Sequence, residues 1–168
     1  AHPAVAEAGV VAAPDEARGQ IAKAYVVLRD GEAAGDDMAK ALQDHVKAEL
    51  IARNAVTAPG ESTDIAIRHT LADGWHTYWL NPGDSGEPPI VDWTLPQGGT
   101  AGDLAYPVPE RVPYPPLMNH GYKDEFTLLT DVTVPADWPA GEPYPVTVRI
   151  DWLVCEDICI PEGGEASF

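Results

Sequence analysis

Cysteine is scarce in this chain: among its 168 residues, only Cys155 and Cys159 carry a thiol. A structural zinc site needs four ligands, and the nearest histidine candidate, His120, does not stand at metal-ligand spacing, so zinc binding is the least favoured use of the pair. A modest turn brings Cα atoms at the spacing of Cys155 and Cys159 within the ~4.4–6.8 Å that a disulfide requires. Local thiol-disulfide chemistry is therefore the first function to consider.

Basic residues are also few, ten lysines and arginines against 27 acidic residues, which gives a net charge of −17. A field of this sign repels nucleic acid and anionic membrane surfaces, so neither is expected as a partner. No apolar run approaches the ~18 residues that suggest a transmembrane helix, so no direct insertion of this chain into a membrane is expected. An initiating methionine and a signal segment are absent too, and we expect a processed form or a piece of a longer protein.

Tryptophan is absent from residues 1–54, which also hold only two of the 17 prolines, whereas residues 55–168 hold all five tryptophans. Charge divides in the same way: six basic and nine acidic residues in the first part give −3, and four and eighteen in the second give −14. The composition therefore predicts two unlike segments. We expect a first segment over residues 1–50, a junction at 51–58 and a domain over 59–168.

The first segment has the pattern of strand, turn, strand and helix. Residues 5–13 and 21–28 are apolar runs, and turn-forming residues at 14–16 separate them. Asp36 is a suitable N-cap for a helix that follows. An apolar stripe recurs every four residues along this predicted helix, with His45 packed beside it; the stripe consists of Met38, Leu42, Val46 and Leu50.

The second segment has the pattern of a β-sandwich. Apolar residues alternate with polar ones in several short runs, and turn signals rich in Pro, Gly and Asp separate these runs. Such spacing is typical of an immunoglobulin-like sandwich, so the sequence predicts a mainly β fold preceded by a small α/β segment of two strands and one helix. The clearest alternating run comprises Val146, Val148, Ile150, Trp152 and Val154.

Three motifs in the second segment carry a resemblance to a known family. They are GWHTYWLNPGDSG at residues 74–86, NHGYKDE at 119–125 and WLVCEDICIPE at 152–162. In this order, they resemble the N-terminal periplasmic domain of the DsbD/ScsB group of thiol:disulfide interchange proteins. The resemblance implies an immunoglobulin-like fold in the periplasm. It also implies a component of a protein-disulfide reductase that relays electrons from a membrane-embedded redox domain to thioredoxin-like periplasmic proteins.

The same resemblance implies roles for individual residues. Cys155 and Cys159 would cycle between dithiol and disulfide, with Cys159 forming the mixed disulfide with the partner and Cys155 resolving it. No cofactor and no metal are implied. A cap over the cysteines, or a surface that contacts the partner, is expected from Tyr114, Leu117, Met118, Asn119 and Tyr122.

The first segment resembles a different family. The motifs HPAVAEA at residues 2–8, PDEARGQ at 14–20, KAYVVL at 23–28 and LQDHV at 42–46 resemble the C-terminal lid subdomain of acyl-CoA synthetases, in the adenylate-forming superfamily. This resemblance breaks off at residues 48–50, and the Gly-Lys motif whose lysine drives adenylation does not follow. We therefore expect a chimeric chain whose truncated first segment has no catalytic role.

Two other interpretations stay open on the residues alone. The cysteine pair is equally compatible with a static disulfide in an immunoglobulin-like binding or structural domain. The chain could also be an inactive remnant of an adenylate-forming enzyme.

Glu156 and Asp157 stand between the cysteines and should hold the thiol pKa near or above its usual ~8.5.

The aromatic and histidine residues suggest no further site. Trp75, Tyr78 and Trp79 are expected in the core of the sandwich, because large aromatics at such spacing usually pack there. Four further histidines show no clustering in the sequence: His2, His69, His76 and His120.

Overall fold

The computed structural model describes residues 4–15 and 19–168 of the chain. The first segment contains two strands and one helix: β1 (Val5–Asp15), β2 (Gly19–Leu28) and α1 (Asp36–Ala41). Ten further strands follow: β3 (Val46–Ala52), β4 (Ser62–Leu71), β5 (His76–Gly83), β6 (Ile90–Thr94), β7 (Thr100–Ala101), β8 (Glu110–Tyr114), β9 (Leu117–Lys123), β10 (Glu125–Thr133), β11 (Thr147–Cys155) and β12 (Cys159–Ser167).

The predicted strand pair at the start of the chain is confirmed. β1 and β2 form an antiparallel ribbon in which Val5 pairs with Leu28 and Asp15 with Gly19. The turn predicted at residues 14–16 extends outside the described residues, as does His2. The helix begins at Asp36, and Asp36 and Asp37 both lie in its first turn, where carboxylates are favourable.

The predicted length of the helix is wrong. α1 ends at Ala41, and Val46 and Leu50 lie in β3, which pairs with β4 from Val46 opposite Leu71 to Ala52 opposite Ile65. A spacing of four residues fits every second position of a strand as well as one face of a helix. Val46 and Leu50 pack against the core from this strand. β3 thus crosses the start of the expected junction at 51–58, and the division of the chain at that junction stays a prediction.

Two sheets form the predicted mainly β, immunoglobulin-like sandwich. One sheet has four strands in the order β3-β4-β10-β7. The other has six strands, in the order β12-β11-β5-β9-β8 with β6 pairing to β11. No helix within the described ranges 4–15 and 19–168 has the length and apolar character needed to cross a membrane.

The main core lies between these two sheets. Ile67 and Leu128, from β4 and β10, and Ile150, from β11, are completely buried there. The predicted period-two run along β11 is confirmed, since all five of its apolar residues are buried. Residues that alternate with this run therefore point to the opposite, outer face of the six-stranded sheet.

A buried carboxylate ties the end of the first segment to β12. Glu162 accepts hydrogen bonds from the backbone amides of His45 and Val46, at 3.3 and 3.2 Å. Its Oε1 also lies 2.5 Å from Nδ1 of His45. Burial raises the pKa of Glu162, and the bonds from His45 act against this rise. His45 is half-buried against the ring of Trp75, with ring centroids 3.8 Å apart, so it is packed as predicted, although outside the helix.

Candidate redox site

The two cysteines face each other at the end of the β11-β12 hairpin. Cys155 is the last residue of β11 and pairs with Cys159, the first residue of β12, with their Cα atoms 4.1 Å apart. A disulfide of 2.04 Å joins them. The three intervening residues form a tight turn in which the amide of Glu156 donates to the carbonyl of Ile158 at 3.0 Å. Cys155 is buried, at 2% exposure, while Cys159 is only half-buried.

A row of four directly paired residues crosses the six-stranded sheet at this point. Cys155 pairs with Cys159 on one side and with His76 of β5 on the other, and His76 pairs in turn with Lys123 of β9. Directly opposed residues in antiparallel strands place their side chains on one face, with Cβ atoms ≈ 4.5–5.5 Å apart. These pairs place Lys123, His76 and the two cysteines in one row across the sheet.

Tyr78 contacts the disulfide from the same face. It follows His76 by two residues on β5, and its hydroxyl lies 3.0 Å from Sγ of Cys155 and 3.7 Å from Sγ of Cys159. Burial raises the pKa of Tyr78, and the nearby Tyr114 adds to the rise. The hydroxyl therefore keeps its proton at neutral pH and can donate it in a hydrogen bond to sulfur.

A cavity of about 310 Å³ lies over the disulfide. The hairpin turn contributes Glu156 and Asp157 to its lining, and the loop after β5 contributes Ser85. The amide and hydroxyl of Ser85 both donate to Oδ1 of the buried Asn119 at 3.0 Å. The lining thus combines two acidic side chains of the turn with the disulfide itself. Its lining comprises Ala8, His76, Tyr78, Ser85, Tyr114, Asn119, Cys155, Glu156, Asp157, Ile158 and Cys159.

The five residues expected to form a cap or partner surface do not all reach this cavity. Tyr114 and Asn119 line it, and Tyr114 is half exposed at 50%. Leu117 and Met118 are half-buried in the β8-β9 hairpin and are not part of the lining. Tyr122 lies in the core, stacked on Phe126 with its hydroxyl donating to the carbonyl of Pro107 at 2.8 Å, so the structure does not bring it to the cysteines.

Sequence reasoning missed two residues of the site. His76 was expected to belong to no cluster, and Tyr78 was expected in the core with its tryptophan neighbours. Trp75 and Trp79 do pack against the core, but strand alternation places Tyr78 on the other face with the cysteines. The alternation itself was the available signal, because residues 76 and 78 have the opposite parity to 75 and 79.

Gly86 fixes the position of Tyr78. It has φ +92°, and a Cβ added there would lie 2.2–2.4 Å from three atoms of the Tyr78 ring. Since these distances are far below van der Waals contact, any side chain at this position must displace the ring or the loop. The hydroxyl of Tyr78 would then leave Sγ of Cys155.

We expect Gly86→Ala to slow reduction of the disulfide by dithiothreitol about 2- to 10-fold, the equivalent of one lost hydrogen bond of ~0.5–1.5 kcal/mol to the departing sulfur. Tyr78→Phe should slow it by a similar factor, because it removes the same donor. Gly141→Ala is the matched control, since Gly141 also has positive φ but nothing within 4 Å of an added Cβ. Reduction at the wild-type rate in both site variants would show that the tyrosine contact does not assist bond cleavage.

Metal-binding chemistry has no candidate cluster in the part of the chain that the structure describes. There, no group of three or more His, Cys, Asp or Glu side chains is arranged to hold a metal ion. The donor atoms around the cavity are the two disulfide-bonded sulfurs, one imidazole and scattered oxygens. The chemical group that the structure shows at this cavity is the closed disulfide of Cys155 and Cys159.

Two family models match the chain, and they overlap. Residues 45–167 match the family described as the N-terminal part of the thiol:disulfide interchange protein DsbD, and residues 1–58 match the AMP-binding enzyme C-terminal domain. Among solved structures, the N-terminal periplasmic domain of ScsB from Proteus mirabilis shares the fold, with a TM-score of 0.54 and 19% sequence identity. The superposition covers 82% of this chain and 49% of that chain.

Curated relatives match the first segment. The uncharacterized acyl-CoA ligase YtcI of Bacillus subtilis is 52% identical over 58 residues, which is 34% of this chain and 10% of that protein. The acetyl-coenzyme A synthetase of Pyrobaculum aerophilum is 48% identical over 46 residues, 27% of this chain and 7% of that protein. The chain thus spans a tenth or less of these relatives. Because the DsbD match covers residues 45–167 and includes both cysteines, the chain belongs to the family of DsbD N-terminal domains.

Proposed function

We propose that this chain is a periplasmic thiol-disulfide interchange module, which relays electrons from a membrane-embedded redox domain to thioredoxin-like proteins through Cys155 and Cys159. The observation that carries the proposal is the asymmetry of the pair. Cys159 is half-buried at the rim of the cavity, whereas Cys155 is buried and contacts Tyr78. One sulfur is therefore accessible to a partner thiolate, and the other has a hydrogen-bond donor ready for the charge it receives.

The exchange follows from this geometry. A partner thiolate attacks Sγ of Cys159, a new S–S bond forms, and the bond between the two cysteines breaks, so that Cys155 leaves with the electron pair and takes up a proton. A second partner thiolate then attacks the partner sulfur of the mixed disulfide and releases Cys159 as a thiolate, which is protonated in turn. The pair gains two electrons and two protons, and the partner is oxidised to a disulfide. The reverse sequence passes the electrons on.

The surface around the cavity supports docking of such partners. Tyr114 is half exposed at the rim, and Leu117 and Met118 lie at the same hairpin, so we propose that these three residues contact the partner or shield the disulfide. Asn119 supports them by holding the neighbouring loop. Glu156 and Asp157 disfavour a free thiolate on the resting dithiol, so a partner with a positive surface would activate it on docking.

The first segment has no catalytic part in this proposal. It corresponds to a small fraction of the synthetases that it matches and ends before the lysine motif expected for adenylation. Incubation of the chain with ATP and acetate should therefore yield no acyl-adenylate; formation of the adenylate would contradict this assignment.

A redox titration tests the relay. We expect the disulfide to equilibrate in glutathione or dithiothreitol buffers with a midpoint between about −270 and −120 mV, as thioredoxin-like exchange proteins do. Alkylation of free thiols followed by mass spectrometry reads the reduced fraction. A midpoint below about −300 mV, with reduction only when the fold melts, would identify a static structural disulfide and reject the relay.

Trapping experiments would test which sulfur the partner attacks. Cys155→Ser leaves the accessible Cys159 without its resolving thiol, so a mixed disulfide with a thioredoxin-like protein should persist. Cys159→Ser is the matched control, because its remaining thiol on Cys155 is buried. Equal trapping by the two variants would contradict the assigned order of attack.

A further inference from the structure

We propose that His76 accepts the proton of Cys155 when that thiol attacks the mixed disulfide. This inference rests on the proposed exchange function and adds a catalytic residue to it. His76 is the direct neighbour of Cys155 in the sheet, and it also lines the cavity over the disulfide. Directly opposed residues have Cβ atoms ≈ 4.5–5.5 Å apart, so the imidazole and the Cys155 sulfur are neighbours on one face of the sheet, and one water molecule or a side-chain rotation connects them for proton transfer.

The imidazole has a nitrogen free for this role. His76 is buried, with 7% exposure, and its Nε2 has no hydrogen-bond partner among the described residues. A buried polar atom without a partner is costly, at ≈ 1–3 kcal/mol, and therefore calls for an explanation. The Cys155 thiol is absent as a donor while the disulfide is closed. Reduction of the pair supplies that donor at the residue paired with His76 in the sheet.

His69 shows what a structural histidine looks like in the same protein. Its ring is stacked on Phe126 at 4.5 Å between centroids and meets Trp152 edge-on at 5.5 Å. It is therefore enclosed by aromatic rings of the core, and it is not part of the lining of the cysteine cavity. His76 packs one side against Tyr78, at 5.5 Å, and turns toward the cysteine cavity with the same tyrosine that contacts Cys155.

The charges around His76 favour its neutral form. Burial lowers the pKa of His76, and Lys123, its cross-strand neighbour, lowers it further. The imidazole is then unprotonated at neutral pH and able to accept a proton. The groups that face this part of the site from each neighbouring element are Lys123 of β9, Tyr78 of β5, Tyr114 of β8, and Glu156 and Asp157 of the hairpin turn.

Resolution of the mixed disulfide begins with proton transfer within the site. With the partner attached to Cys159, the Cys155 thiol transfers its proton to Nε2 of His76 and becomes a thiolate. That thiolate attacks Sγ of Cys159, the disulfide of the pair forms again, and the bond to the partner breaks. The partner sulfur leaves with the electron pair, and the imidazolium later returns its proton to solvent. In the opposite direction, the imidazolium donates to the departing Cys155 sulfur.

The test uses the reduced chain and an aromatic disulfide, 5,5′-dithiobis(2-nitrobenzoate). Cys159 attacks this disulfide and releases one coloured thiolate. Cys155 then attacks the mixed disulfide and releases a second coloured thiolate. Stopped-flow absorbance follows this second, intramolecular phase. We expect His76→Gln to slow this second phase at least about tenfold at pH 7, because a positioned general base typically contributes about 10²- to 10⁴-fold to a rate. The variant should also lose the part of the pH dependence that reflects the imidazole.

His120→Gln is the matched control. His120 lies on the adjacent strand β9 and also has a buried ring nitrogen without a partner among the described residues, but it does not line the cysteine cavity. This variant should keep the wild-type second phase. A second phase in His76→Gln with unchanged rate and pH dependence would overturn the proposal for His76. If the wild-type chain itself shows no second phase, the exchange function fails, and the role of His76 with it.

An NMR titration that needs no His76 variant tests the proposal if His76→Gln does not fold. The imidazole resonances of His76 are titrated by NMR in the reduced chain and in Cys155→Ser. We expect the two titrations to differ, because the thiol shares its proton with the ring and the serine hydroxyl does not. Identical titrations would overturn the proposal.

Discussion

Replacing Gly121 with alanine is expected to destabilise the fold by about 3 kcal/mol, the upper part of the range for overpacking, because the new methyl group collides with backbone. A Cβ at this position would lie 1.9 Å from the carbonyl oxygen of Thr77 and 3.3 Å from Cα of Tyr78. The two strands that carry these residues, β5 and β9, cannot part without breaking the pairing of Tyr78 with Gly121. The damage should reach the redox site, since Tyr78 would move with its strand.

Urea unfolding followed by tryptophan fluorescence measures this effect. The variant should unfold at a clearly lower urea concentration, or be largely unfolded in water. Gly35→Ala is the control, because an added Cβ there meets nothing within 4 Å and the residue has no positive φ. Its stability should stay within about 0.5 kcal/mol of wild type. A wild-type midpoint for Gly121→Ala would show that the close approach of β5 and β9 is not a constraint on the fold.

His69 is expected to make the fold acid-sensitive. Burial lowers its pKa in the folded state from 6.5 to about 4. Between these two values the unfolded chain binds a proton that the folded chain does not, so protonation favours unfolding. The stabilising contribution is therefore complete above pH 6.5 and is lost as the pH falls toward 4. The difference in pKa corresponds to about 3 kcal/mol between the two ends of this window.

A comparison of wild type with His69→Gln isolates this contribution. The free energy of unfolding is measured at several pH values from 7.5 to 4, and its decline with acid should be smaller in the variant by about 3 kcal/mol over the window. Burial raises the pKa of Glu162, which acts in the opposite direction but is present in both proteins and cancels. Parallel pH profiles for the two proteins would contradict the assignment, whatever the absolute loss of packing in the variant.

Much of the fold could be predicted from alternation and turn chemistry. The run from Val146 to Val154 identified β11 and its buried face, and the apolar runs in the first segment identified β1 and β2. β3 could not be identified in this way, because Val46 and Leu50 fit a helical and an extended pattern equally. Pairing with β4 decides between them, and that contact is between distant parts of the chain.

The candidate site was predictable only in part. Cys155 and Cys159 stand out by their scarcity and spacing, which predicted a turn between them. β12 was not predicted, because its residues Cys159–Ser167 contain few apolar side chains. The approach of His76 depends on the order of strands in the sheet, where β5 lies next to β11 although 70 residues separate their starts. Strand order is set by packing of the whole sandwich, so local sequence does not reveal it.

The hydrogen bonds to Glu162 limit how far the chain can be shortened from its first residue. This carboxylate lies three residues after Cys159, and it holds the backbone amides of His45 and Val46, which precede and begin β3. A fragment that begins after residue 52 would strip β4 of its edge neighbour and leave the buried carboxylate with neither amide. A fragment that keeps both amide partners of Glu162 and the edge strand β3 therefore includes residues 45–52. These residues lie where the two family matches overlap.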